Sequence, residues 1–272
     1  MSESRIETIF STLRSEGRRG LAPFIVGGRP SVEETARLLP ALQAAGASIV
    51  EVGIPFSDPI ADGPVIAAAM HKALESGVHT RDVLNAVQRA RSSCSLGIVA
   101  MASVSLAQRV GVARFVGEAK DAGIDGFIFP DAPLEEAPPL VEAVREVGLT
   151  ASLLVAPTTP RARAEKIVGL CSGFVYLMAR LGITGESAAA PEIGARVAEL
   201  REMTDLPIAC GFGVSKAEHV RAVVEHADAA IVGSALVRRI EDAAERGEDA
   251  AEAAGAFVRE LGVGLKDAGA AA

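Results

Sequence analysis

The chain has 272 residues, enough for one large domain or two small ones, and is 49% hydrophobic with one tyrosine and no tryptophan, so Ala, Val, Ile and Leu must build its core. A net charge of −8 and the lack of any basic block argue against a broad nucleic-acid or anionic-membrane surface, which needs concentrated Lys and Arg. Cys94, Cys171 and Cys210 are odd in number, far apart and without a C-x-x-C pair, which excludes a disulfide framework or zinc knuckle and fits small core residues of a reduced, cytoplasmic protein.

The N-terminal MSESRIETIF carries no signal-peptide core, and no apolar run reaches the roughly 18 residues of a membrane span. SRIETIFSTLRSEG reads as an extra helix within residues 1–20, placed to plug a barrel floor. Eight β-rich runs follow: LAPFIVGG (21–28), SIVEVGIP (48–55), LGIVAMAS (96–103), DGFIFPD (125–131), TASLLVAP (150–157), GFVYLMAR (173–180), LPIACGFG (206–213) and AAIVGSAL (229–236). Between them lie segments of helical period such as SVEETARLLPALQAAG, TRDVLNAVQRARSS, VARFVGEAKDAG, PEIGARVAELREMT and SKAEHVRAVVEHA, with C-cap glycines at Gly46, Gly123 and Gly148. From Leu236 onward the sequence reads as one last helix and a disordered tail over residues 266–272.

Repeated βα units imply parallel strands with right-handed crossovers. Eight of them with no G-x-G-x-x-G after the first strand favour a single-domain (β/α)8 barrel over residues 1–272 against an open doubly wound sheet. Such barrels carry their chemistry at the C-terminal ends of the strands. Glu51 interrupts a buried apolar strand there, and burial would raise its pKa toward that of a proton donor and acceptor near neutrality, provided its face of the strand points inward. Asp62 stands before Gly63-Pro64 and suits either helix capping or chemistry, whereas Asp58 suits loop ordering. Gly211, Gly213 and Gly233 each precede a helix after the last two strands, where free backbone N–H groups can hold a phosphate. The long loop RLGITGESAAAPE has the composition of a lid. His71, His79, His219 and His226 fall away from strand ends and have no metal-ligand spacing.

The motifs EVGIPFSDPIADGP (51–64), FPDAPLEE (129–136), LVAPTTP (154–160), GFVYLMARLGITG (173–185), GFGVS (211–215) and VGSALV (232–237) resemble, in order, those of the tryptophan synthase alpha subunit family. The resemblance implies a lyase of tryptophan biosynthesis that cleaves indole-3-glycerol phosphate to indole and glyceraldehyde 3-phosphate by a retro-aldol reaction. It also implies a beta-subunit partner in an alpha2beta2 heterotetramer, with pyridoxal phosphate only in that partner and no cofactor or metal in this chain. By the same likeness Glu51 matches the catalytic acid and base, and Asp62 the aspartate that holds the indole N–H. Phe24 and Tyr176 match the indole pocket, Gly185, Gly213, Gly233 and Ser234 the phosphate positions, and Arg180 and Thr184 the loop that closes over the site.

Two positions depart from the family pattern. Gly28-Arg29-Pro30 stands where Gly-Asp-Pro is usual, and Met101-Ala102-Ser103 where a Tyr-x-Asn stretch is usual. They leave open two other readings: a free-standing indole-3-glycerol-phosphate lyase that releases indole, and a non-catalytic phosphate-binding barrel that acts through a partner.

Overall fold

The computed structural model describes residues 4–59, 62–179, 193–211 and 213–265. Every one of the eight runs contains a strand: β1 (Gly20–Val26), β2 (Ile49–Gly53), β3 (Gly97–Met101), β4 (Gly126–Ile128), the pair β5 (Thr150–Ser152) and β6 (Leu154–Val155), β7 (Val175–Met178), β8 (Ile208–Gly211) and β9 (Ala229–Val232). They hydrogen-bond in the order β5-β4-β3-β2-β1-β9-β8-β7-β6, all parallel. β5 and β6 are halves of one run broken at Leu153. The first half pairs with β4 and the second with β7, and the Tyr176 N–H donates to the Leu153 carbonyl at 3.2 Å. One run therefore serves both edges of the sheet, which closes it into a single-domain (β/α)8 barrel.

The helices stand where the 3.6-residue period places them. They are α1 (Arg5–Ser15), α2 (Val32–Ala44), α3 (Pro64–Glu75), α4 (Thr80–Ala90), α5 (Val104–Val110), α6 (Val112–Asp121), α7 (Ala137–Glu146), α8 (Arg161–Leu170), α9 (Gly194–Arg201), α10 (Ala217–Val224), α11 (Ser234–Glu245) and α12 (Ala250–Gly262). The single last helix expected from Leu236 is a correction: the chain forms two, α11 and α12. Gly247 takes φ 70° between them, and the Asp249 carboxylate caps α12 by accepting from the Ala251 and Glu252 N–H groups at 2.9 and 3.0 Å. Asp is a strong N-cap, so the break was written in the sequence as a Gly-x-Asp signal inside an otherwise helical composition. The tail at 266–272 lies outside the described residues.

Side chains divide into two layers by strand parity. Leu21, Ile25, Val50, Val52, Ile98 and Ala100 pack outward against the helices. Ala22, Phe24, Val26, Ile49, Val99 and Met101 fill the interior. α1 closes the floor as expected, because its buried Ile6, Phe10 and Leu13 join the interior layer and the Phe10 ring lies 5.8 Å from that of Phe174. Each such buried side chain contributes roughly 2 kcal/mol.

Polar pins hold the floor. Asp125, just before β4, accepts from the Ile98 N–H at 2.9 Å, from Arg91 and from Arg5. Asp228, just before β9, accepts from the Ile208 N–H at 2.8 Å and pairs with Arg201 and Arg19. Arg91, just after α4, and Arg201, at the end of α9, also bond the chain ahead of the neighbouring strand, Arg91 to the Leu96 carbonyl and Arg201 to the Leu206 carbonyl.

Candidate active site

Register settles the question that parity left open. Glu51 pairs with Phe24 on β1 and Val99 on β3, both interior residues, so its carboxyl points into the barrel. It is 1% exposed, and both carboxyl oxygens are buried with no hydrogen-bond partner among the described residues. Burial first, and then the negative charge of Asp62, holds its pKa well above the ordinary 4.5. An unpartnered buried carboxylate would cost several kcal/mol, so burial favours the protonated form of Glu51.

Asp62 lies at the entrance to α3 without capping it. The N-cap is Gly63, which makes no side-chain cap hydrogen bond, and Pro64 fills the first turn. Of the two roles the sequence allowed Asp62, capping is not realised. Its carboxyl faces the cavity, where burial and then the charge of Asp131 raise its pKa to about 6. Asp131 is itself committed: the Ser103 hydroxyl and the Val104 N–H donate to it at 2.7 and 3.0 Å, tying the end of β4 to the start of α5. Asp58 is exposed and accepts from the Ser57 hydroxyl at 2.6 Å, in keeping with loop ordering.

Glu51 and Asp62 line a cleft of about 410 Å³, counting space open to solvent, at the C-terminal ends of the strands. Glu51, Asp62, Phe24, Tyr176, Gly213, Gly233 and Ser234 are all on its wall. The Phe24 ring can lie across the strands because Gly53 has no side chain: a Cβ there would meet the ring at 2.6 Å. Gly211 has the same relation to Tyr176, whose hydroxyl would stand 2.7 Å from an added Cβ. That is a correction for Gly211, which clears space for the tyrosine inside β8 rather than opening a helix. Burial first, then the charges of Glu51, Cys210 and Asp62, push the Tyr176 hydroxyl well above its ordinary value, so it stays neutral.

Gly213 is held at φ 86°, a left-handed conformation that disfavours any side chain. Gly233 and Ser234 open the twelve-residue helix α11; Ser234 is 5% exposed and its hydroxyl has no partner among the described residues. Free N–H groups, the positive end of the helix dipole and an unengaged hydroxyl make this end of the cleft suited to an anion. Arg180, Thr184 and Gly185 lie outside the described residues.

Ile66, Ile231, Val214 and Ala235 complete the apolar wall, and the sequence reading did not single them out. Ile231 was recoverable, since it stands two residues before Gly233 and shares its face of the strand. Arg29, one of the two departures, is turned onto α11, where its guanidinium donates twice to the Glu241 carboxylate at 2.9 and 2.6 Å. Lys72 on α3 joins the same carboxylate at 3.3 Å. Met101, the other departure, lines the cleft.

Fold and site together define a (β/α)8-barrel enzyme with a buried carboxyl group inside its mouth. The family model described as tryptophan synthase alpha chain matches residues 10–266. A tryptophan synthase alpha chain of Rippkaea orientalis is 41% identical over 264 residues, covering 96% of this chain and 98% of the relative. One from Synechococcus sp. is 43% identical over 260 residues, covering 95% and 96%. Among solved structures, tryptophan synthase subunit alpha from Legionella pneumophila superposes with a TM-score of 0.90 at 32% identity, covering 98% of this chain and all of that one. A tryptophan synthase structure from Mycobacterium tuberculosis gives 0.87 at 33% identity, covering 97% and 99%. The chain belongs to the tryptophan synthase alpha chain family. No helix of the described residues is long and apolar enough to cross a membrane.

Proposed function

We propose that this chain performs the alpha reaction of tryptophan synthase, the retro-aldol cleavage of indole-3-glycerol phosphate to indole and glyceraldehyde 3-phosphate. The observation that carries the reading is the Glu51 carboxyl, buried without a hydrogen-bond partner among the described residues in a cleft whose wall includes the N-terminal end of α11. With the phosphate on Gly213, Gly233 and Ser234, the indole ring reaches Phe24, Tyr176 and the two carboxyls. Neutral Glu51 gives its proton to indole C3. The ring becomes cationic, and ionised Asp62 at the ring N–H stabilises that charge. The C3–glycerol bond then breaks, its electron pair restoring the aromatic ring, while the adjacent hydroxyl becomes the aldehyde and its proton returns to the Glu51 carboxylate. Protons and electrons balance using this chain's own residues.

The division of roles follows from the two environments. Asp62, at about 6, is mostly ionised at neutral pH and can hold a cation; Glu51, wholly buried and held well above its ordinary 4.5, is the group suited to deliver a proton. Family membership also supports a beta subunit as partner, working in an alpha2beta2 assembly in which pyridoxal phosphate belongs to beta. A rim groove of about 840 Å³ between the 55–58 segment and α5, bordered by Phe56, Asp58 and Arg109, offers a surface for it. Arg29 is drawn inward to Glu241, so the departure after β1 does not place a free cation on the rim.

The test is to incubate the purified chain with indole-3-glycerol phosphate, alone and with a tryptophan synthase beta subunit, and to follow indole. Slow release alone and faster release with beta are expected. High activity alone that is indifferent to beta would favour the free-standing lyase, and no indole under either condition would defeat the catalytic reading.

A further inference from the structure

A second cavity of about 300 Å³, counting space open to solvent, adjoins the catalytic cleft, and only Asp62 and Met101 line both among the described residues. Its walls are mainly apolar, with Ile54, Phe56, Met70 and Pro130 around the space and Ser103 and Asp131 bonded to each other at one side. Met101 is the last residue of β3, level with Gly53 and Ile128 and 7% exposed. Methionine has three rotatable side-chain bonds and a polarizable sulfur, so it yields to a neighbouring group where a rigid ring would block it.

We propose that Met101 is a specificity-determining residue, a movable partition that lets the site accept indole rings carrying a halogen or methyl group on the N–H edge. The inference rests on the proposed reaction for its orientation. If Asp62 holds the ring N–H, the nearest carbons of the six-membered ring, positions 6 and 7, face Asp62 and Met101, and a substituent there enters the second cavity. Position 4 lies on the opposite edge, beside C3 and Glu51, away from the second cavity. Discrimination therefore depends on where the substituent sits as well as on its size.

The experiment compares kcat/KM for indole-3-glycerol phosphate and its 6-bromo and 4-bromo forms in the natural protein, Met101→Phe and Met101→Ala. Calorimetric Kd values for indole, 6-bromoindole and 4-bromoindole are measured on the same proteins. The natural protein is expected to use the 6-bromo substrate better than the 4-bromo isomer. Met101→Phe should lower the 6-bromo to parent ratio by about tenfold or more, the scale on which a pocket resolves a group of this size, while Met101→Ala raises it. The 4-bromo to parent ratio should stay flat across all three. Equal shifts for both isomers, or a 6-bromo ratio unmoved by either variant, would overturn the partition. Met101→Ala alone decides the matter if Met101→Phe does not fold. Failure of the natural protein to cleave the parent substrate would reject the reaction, while the Kd ratios would still report on the partition.

Discussion

The barrel's two ends treat their acids in opposite ways. At the floor, Asp125 and Asp228 are each met by two arginines and a strand N–H, so the carboxylates tie neighbouring strands together. At the mouth, Glu51 has no hydrogen-bond partner among the described residues and Asp62 faces like charge, so burial holds the first well above its ordinary 4.5 and lifts the second to about 6. On the proposed mechanism, acidic residues at opposite ends of parallel strands divide stability from chemistry. Charge pairing removes an acid's capacity to move a proton, and leaving it unpaired preserves that capacity at a cost in folding free energy.

The sharpest way to break this comparison is Glu51→Gln, which keeps shape but has no proton to give. Indole release should fall about 10²–10⁴-fold with phosphate-substrate binding retained, read as kcat against KM in a steady-state assay. Asp62→Asn should lower kcat by about a hundredfold, since it removes the charge that faces the cationic ring. At the floor, Asp228→Ala should do the reverse. It leaves the buried Ile208 N–H without its acceptor and takes the carboxylate from two arginines, and is expected to cost about 2–3 kcal/mol in urea unfolding while kcat of the folded protein is unchanged.

A pH dependence sharpens the contrast further. In the unfolded chain Glu51 ionises near 4.5, whereas the folded state retains the proton to higher pH, so the folded state binds more protons above 4.5 and loses relative stability as pH rises. Glu51→Gln escapes this. Its advantage over the natural protein should be negligible at pH 4 and grow by about 1.4 kcal/mol per pH unit above pH 4.5 until Glu51 ionises, visible as a higher Tm at pH 8. Asp62 has the same sign, confined to the window between 3.8 and about 6. The smallest effect is at Arg29. Arg29→Ala should cost about 1 kcal/mol, because Lys72 still faces Glu241, and should leave this chain's own indole release unchanged.

The barrel was legible because eight apolar runs and the C-cap glycines at Gly46, Gly123 and Gly148 punctuate the chain locally, and local signals survive folding. Gly247 and Asp249 were equally local but hidden in Ala/Glu-rich composition that reads as continuous helix. The site was legible only in part. Both faces of a barrel strand are buried, so nothing in IVEVG reveals which way Glu51 points; that follows from its register with Phe24 and Val99, a long-range property. Nor could sequence separate Asp62 as a cap from Asp62 as a cavity wall, since the choice fell to Gly63 and Pro64 beside it. Met101 bordering two cavities depends on how β2, β3 and α3 pack and has no one-dimensional signature.

The central claim is that Glu51 holds a proton at neutral pH inside the barrel mouth. The most direct measurement is the infrared difference spectrum between the natural protein and Glu51→Gln in the carboxyl region across a pH titration. A protonated carboxylic acid band present at pH 7, which disappears only as pH rises further, is the predicted result. A carboxylate band already in place at pH 6, with no neutral acid to lose, would contradict it.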